Sequence, residues 1–172
     1  LREELLAELQ SIQDAMCRLS LTLAVAESCT GGLLAGLITS LSGSSQYFRG
    51  GVVAYHNQVK ADLLGVPEQD IVSYGAVSPQ VAVAMAGGVQ KRLAATVGIG
   101  ITGIAGPGGG SREKPVGTVY IALKTTQDTL CRLYNFSGDR EQVRHQAVAA
   151  ALDMLKAYLT EKGLLSAAPA PV

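Results

Sequence analysis

The sequence contains no tryptophan, and aromatic residues fill only 5% of its 172 positions. That leaves no row of stacking side chains for a single-stranded nucleic acid. Lysine plus arginine and aspartate plus glutamate each number 14, so the formal net charge is zero. A general nucleic-acid binder needs a basic surface for phosphates, so direct nucleic-acid binding is not expected. Only three cysteines occur, Cys17, Cys29 and Cys131, and they lie far apart. They make neither a disulfide framework nor a zinc ligand set, and they point to a reducing cytoplasm. No metal and no cofactor are expected. The two histidines, His56 and His145, sit on different segments without a triad partner nearby in sequence. Neither G-x-x-x-x-G-K-[ST] nor G-x-S-x-G occurs, which removes the P-loop and nucleophile-elbow classes. No apolar run is long enough to span a bilayer and no signal peptide is visible, so no membrane partner is expected. The chain begins at Leu1 rather than Met, which fits a trimmed protein or a piece of a longer one.

What is present is a chain 48% hydrophobic and 16% charged, the balance of a globular domain. Leu5, Leu9, Ile12, Met16 and Leu19 recur at helical spacing and predict an amphipathic helix over residues 2–19. Its apolar face offers a surface for a homo-oligomer. "LTLAVA" reads as a short buried strand. Residues 30–41 read as a helix with Thr30 as cap. "GSSQYFRGG" reads as a turn with a short helix, and "GGVVAYH" as a second strand ending at Tyr55. Residues 57–64 form a helix stopped by "GVP". Ser78 then caps a helix whose first position is Pro79. "TVGIGITGI" is a strand, and "AGPGGGSREKP" an irregular loop. "VGTVYIALKT" and "LCRLYNFSG" form a hairpin around Gln127-Asp128. Asp139 and Gln142 form a capping box for the last helix. Helices and strands alternate first and a hairpin follows. The expected fold is a single three-layer α/β domain over residues 1–165, its mixed, mostly parallel β-sheet flanked by helices. Residues 166–172 read as a flexible tail.

Gly98-Ile99-Gly100-Ile101-Thr102-Gly103 matches G-x-G-x-x-G, but inside an apolar strand rather than at a strand-to-helix turn. Close packing of that strand beneath a helix is the better reading. In "AESCTGG" a strand gives way to a helix, and the backbone N–H groups there suit an anion or an oxyanion. Ser28 is a candidate nucleophile. Thr30, Gly31 and Gly32 are candidate binding residues, and Cys29 reads as a buried small hydrophobe. In "SGSSQYFRGGVVAYHNQVK" the residues Ser44, Ser45, Tyr55, Asn57 and Lys60 cluster near element ends, where α/β proteins bind ligands. A Ser–Lys pair performs acyl chemistry without histidine when burial lowers the lysine pKa. In "TGIAGPGGGSREKPVGT" the residues Thr102, Gly103, Gly106, Gly108 and Gly109 present amides for a phosphate or ribose. Arg112 and Lys114 stand close in sequence to add charge.

Together "AESCTGG", "GSSQYFRGGVVAYHNQVKADLLGV", "GAVS", "TGIAGPGGGSREKPVGTVY" and "FSGDR" resemble the CinA C-terminal domain family, the nicotinamide-nucleotide amidases. The resemblance runs from about residue 10 to 160. It implies hydrolysis of the carboxamide of nicotinamide mononucleotide to nicotinic acid mononucleotide and ammonia, with no metal. It implies catalytic roles for Ser28, Ser45, Tyr55 and Lys60, and a link to the site for Arg140. Ser45 is the first choice of nucleophile because it shares a segment with Tyr55 and Lys60, and Ser28 is the close alternative. Lys60 with Tyr55 takes the proton. In this family the domain occurs alone or at the C-terminus of a larger protein, so an N-terminal CinA domain is a further expected partner if the chain is a piece of such a protein. The alternatives are a nucleotide-sensing or partner-docking module of a competence or damage-response protein, and a hydrolase of another small amide.

Overall fold

In the computed structural model, which describes residues 2–166, a five-stranded sheet lies between two helical layers. Helix α1 (Arg2–Arg18) leads to β1 (Leu23–Glu27), α2 (Leu33–Thr39), a 3-10 turn (Ser44–Gln46) and β2 (Phe48–Val53). Then come α3 (Asn57–Leu64), α4 (Glu68–Tyr74), α5 (Pro79–Arg92) and β3 (Val97–Gly103). The hairpin β4 (Thr118–Lys124) and β5 (Thr129–Asn135) follows, and α6 (Arg140–Glu161) closes the domain. The strand order is β2-β1-β3-β4-β5. β1 pairs parallel with both β2 and β3, while β3–β4 and β4–β5 pair antiparallel. β4 alone therefore runs against the other four.

Successive side chains of a strand point to opposite faces, and β1 is buried on both. Leu23 and Val25 meet the layer of α1, α2 and α6, among them Leu9, Ile12, Leu34 and Leu155. Ala24 and Ala26 meet the layer of α3 and α5, among them Leu64, Val81 and Met85. The small residues on this second face let α5 lie very close. A Cβ added at Gly98 would overlap the Ala86 carbonyl, and one at Gly100 the Ala82 carbonyl. The glycine pattern of β3 therefore serves strand–helix contact, as its position inside an apolar strand implied.

The local caps form as expected. Val81 N–H donates to Ser78 Oγ at 3.2 Å with Pro79 in the first turn, and the Asp139–Gln142 capping box is complete. Three expectations change and one helix is new. α2 begins at Leu33, with Gly32 rather than Thr30 at the cap position in a left-handed conformation. β2 starts and ends earlier than "GGVVAYH", so Tyr55 lies beyond its end. α4 buries no residue and so carries no apolar stripe that a sequence pattern would show. Leu9, Ile12 and Met16 of α1 are fully buried in this chain's own core, so the middle of that stripe is spent within the chain. Residues 167–172 of the expected tail lie outside the described residues. Among the described residues no helix is long and apolar enough to cross a membrane.

Candidate functional site

From β1 the chain crosses to β2 on the α2 side, and from β2 it crosses to β3 on the α3/α5 side. The two connections part at the C-terminal ends of β1 and β3, where open α/β sheets form a crevice. A pocket of about 200 Å³ opens there. Ser28 and Cys29 line it from the end of β1, Thr102 and Gly103 from the end of β3, and Lys60 from α3. Tyr55, Asn57, Ala76, Val77, Ala105 and Arg140 complete the wall.

Lys60 is its centre. The side chain is 1% exposed, and its Nζ lies 3.1 Å from Ser28 Oγ, 2.9 Å from the Ala54 carbonyl and 3.2 Å from the Tyr55 carbonyl. All three partners are neutral oxygens. Burial disfavours the charged form and lowers the Lys60 pKa from its ordinary value. A neutral amine has two N–H donors and one lone pair. In that neutral form the two donors suit the two carbonyls, and the lone pair is then placed to accept the proton of Ser28 Oγ. Cys29 beside this pair is buried, and burial pushes its thiol pKa up to about 11, with the Glu27 charge raising it further and Arg144 and Lys60 opposing. At neutral pH it is a thiol, not a nucleophile, as the reading of a small buried hydrophobe implied.

Glu27, the last residue of β1, is 1% exposed. Leu34 N–H donates to its Oε1 at 2.9 Å and Ala35 N–H to its Oε2 at 3.0 Å. The carboxylate thus occupies the first turn of α2, which the sequence had offered to a phosphate. The chain supplies that helix start with its own anion.

Arg140, at the start of α6, donates from Nη1 to the Gly106 carbonyl at 2.7 Å and from Nη2 to the Tyr55 hydroxyl at 2.8 Å. It ties the glycine loop to the residue after β2. Tyr55 therefore meets Lys60 through its carbonyl, while its hydroxyl is held by Arg140. Thr102 Oγ1 donates to the Ala76 carbonyl at 2.8 Å, joining two walls of the pocket. Lys114 donates to the Tyr74 and Val77 carbonyls at 2.7 and 2.6 Å, clasping the far end of the loop to the segment before α5.

Of the residues singled out by sequence, Ser28, Tyr55, Asn57, Lys60, Thr102, Gly103 and Arg140 meet at this pocket. Thr30, Gly31 and Gly32 form the turn behind Ser28, and Gly106 reaches the site through Arg140. Gly108 and Gly109 lie in the exposed part of the loop, away from the wall. Ser45 is not brought to Lys60. It stands in the 3-10 turn before β2, whereas Tyr55 follows the other end of that strand. Six extended residues separate the two ends by roughly 20 Å. Ser44 is buried at that same remote end. The hydrogen bond in the structure joins Lys60 to Ser28, the close alternative, and not to Ser45, the first choice. Sequence reasoning assigned no role to Glu27 and passed over Arg144, since no local pattern marks their partners.

The model of the CinA C-terminal domain family matches residues 6–159. A CinA-like protein of Desulfotalea psychrophila is 51% identical over 152 residues, covering 88% of this chain and 37% of its own length. One from Geotalea daltonii is 55% identical over 138 residues, covering 80% and 33%. The chain thus spans about a third of the length of these curated relatives. Among solved structures, a competence/damage inducible protein from Agrobacterium tumefaciens aligns with a TM-score of 0.86 at 42% identity, covering 91% of this chain and 94% of that one. A CinA superfamily protein from Klebsiella pneumoniae aligns at 0.88 and 30% identity, covering 94% and 99%. On the family match, these identities and a shared fold, the chain belongs to the CinA C-terminal domain family.

Proposed function

We propose that this domain is an amide hydrolase acting through Ser28 and Lys60, and that its substrate is nicotinamide mononucleotide. The observation that carries the reading is the buried Lys60 amine, ringed by neutral oxygens, 3.1 Å from a serine at the end of β1. Ser28 Oγ attacks the carboxamide carbon while Lys60 takes its proton. The tetrahedral intermediate collapses, its C–N bond breaks, and Lys60 returns the proton to the departing ammonia. Water then attacks the acyl–serine ester with Lys60 again as base, releasing nicotinic acid mononucleotide and restoring Ser28. Every proton taken is returned, so the cycle needs no metal and no redox partner.

The substrate class follows from size and charge. A pocket of about 200 Å³ takes a carboxamide-bearing ring, with the remainder of a nucleotide extending to the mouth. There Arg140 holds Tyr55 and the glycine loop, and its remaining N–H groups suit a phosphate. The α2 start, closed by Glu27, is left out of phosphate binding. The test is ammonia release from nicotinamide mononucleotide, with nicotinamide and its riboside as controls. Turnover of the mononucleotide alone supports the reading. No ammonia from any of them in folded protein refutes it and favours a nucleotide-sensing module.

A further inference from the structure

The turn after Ser28 is held from one side. Arg144 of α6 donates from Nε to the Cys29 carbonyl at 3.1 Å and from Nη2 to the Thr30 carbonyl at 3.0 Å. A trans peptide is planar, so its C=O and the following N–H point in opposite directions. Drawing the Cys29 carbonyl toward α6 therefore turns the Thr30 N–H away from α6. In the same way, Gly31 N–H donates to the Ser28 carbonyl at 3.1 Å and fixes the direction of the Cys29 N–H. α6 lies on the α1/α2 face of the sheet, and Lys60 comes from α3 on the other. The Thr30 N–H is thus turned toward the side from which Lys60 reaches Ser28.

Both N–H groups are unspent. Ser28 N–H donates to the Ile101 carbonyl, but neither Cys29 N–H nor Thr30 N–H donates to any other described residue. Cys29 lines the pocket, and Thr30 is fully buried with its hydroxyl also unpartnered. Buried donors without acceptors are costly, and a pair directly after a nucleophile is placed where an oxyanion forms. Gly31 is part of the device. Its φ is +59°, and a Cβ there would stand 3.3 Å from Arg144 Nη2.

We infer that Arg144 is a positioning residue: it holds the turn so that the Cys29 and Thr30 N–H groups form an oxyanion hole for Ser28. The guanidinium also polarises the peptide it binds and strengthens the N–H on the far side. The inference rests on the hydrolase reading of Ser28 and Lys60, and its test keeps the two apart. A fluorophosphonate forms an O–P bond to an activated serine as its P–F bond breaks, and its phosphoryl oxygen needs the same hole. Wild type, Ser28→Ala, Arg144→Met and Arg144→Lys are treated with it, and kcat and KM are measured on nicotinamide mononucleotide.

Wild type labels at Ser28 and Ser28→Ala does not. Arg144→Met lowers both the labelling rate and kcat on the order of a hundredfold. KM stays within about threefold, because the hole acts on the transition state. Arg144→Lys recovers part of the loss, and its Thr30 amide resonance moves toward the wild-type position, which keeps the test informative if Arg144→Met folds poorly. Labelling of Arg144→Met at the wild-type rate, or a raised KM with kcat unchanged, overturns the role of Arg144 while leaving the hydrolase intact. Absence of label at Ser28 in wild type overturns the nucleophile and the hole with it.

Discussion

Replacing Glu27 by Gln changes one atom's chemistry at a site closed to water. The wild-type carboxylate accepts from Leu34 N–H at 2.9 Å and from Ala35 N–H at 3.0 Å, one to each oxygen. Glutamine keeps one acceptor oxygen and turns an NH2 group toward the other N–H. One charge-assisted hydrogen bond is lost and one buried donor is left facing another donor. A hydrogen bond to a charged group contributes about 1.5–3 kcal/mol, and an orphaned buried donor costs a similar amount, so the expected loss is about 2–3 kcal/mol. For a domain of this size each kcal/mol moves Tm by about 2–4 °C, so the midpoint falls by about 5–10 °C. Glu27→Ala strands both donors and leaves a cavity, and falls further, by about 4 kcal/mol. Urea unfolding followed by circular dichroism measures the series. If Glu27→Gln unfolds at the wild-type midpoint, the carboxylate is not what closes the start of α2, and that start becomes available to a phosphate again.

Ser28→Ala abolishes ammonia release and Ser45→Ala leaves kcat within about twofold, because Ser45 stands at the opposite end of β2 from Tyr55 and outside the pocket wall; the reverse result, read by single-turnover kinetics, refutes the pair. Since burial lowers the Lys60 pKa, the rate rises with pH as the amine loses its proton, and the midpoint of the rise lies below the ordinary lysine value of 10.5. The same shift has a sign for stability: the folded state binds this proton less tightly than the unfolded chain, so its contribution is fully present above pH 10.5 and is lost as pH falls through the folded value. Lys60→Met removes that slope, which denaturation across pH detects. Gly98→Ala pushes a methyl group into the Ala86 carbonyl and separates β3 from α5, costing about 3 kcal/mol or more in thermal unfolding, well above an ordinary surface change.

Local chemistry was legible in the sequence and long-range geometry was not. The caps at Ser78 and Asp139 were readable because cap and helix are a few residues apart, and the hairpin because its turn is short. The glycines of β3 were readable as packing because they sit within an apolar run. Ser28, Tyr55 and Lys60 were picked out by residue type at element ends and Arg140 by the family resemblance, and the fold brings all four to one pocket. Ser45 was misplaced because proximity along the chain was taken for proximity in space; an extended strand sends residues a few places apart to opposite ends of the sheet. The expected start of α2 failed for a related reason. Gly32 holds its cap position while Glu27 takes its first N–H groups, and neither spacing nor propensity shows that a strand's last carboxylate folds back over the next helix. α4 was invisible because it has no fully buried residue and rests on the core through the partly buried Ile71, which is too little to make a pattern.

The three oxygens around Lys60 carry one more implication. A neutral amine offers two hydrogens, one to each carbonyl, and the Ser28 hydroxyl can fill the third contact with its own hydrogen; an ammonium has three hydrogens for the same three acceptors. The three contacts therefore suit this lysine both before and after it takes a proton, so in the proposed reaction the proton can cross without the side chain moving. A lysine salt-bridged to a carboxylate would instead be held as the ammonium, with no lone pair to receive it.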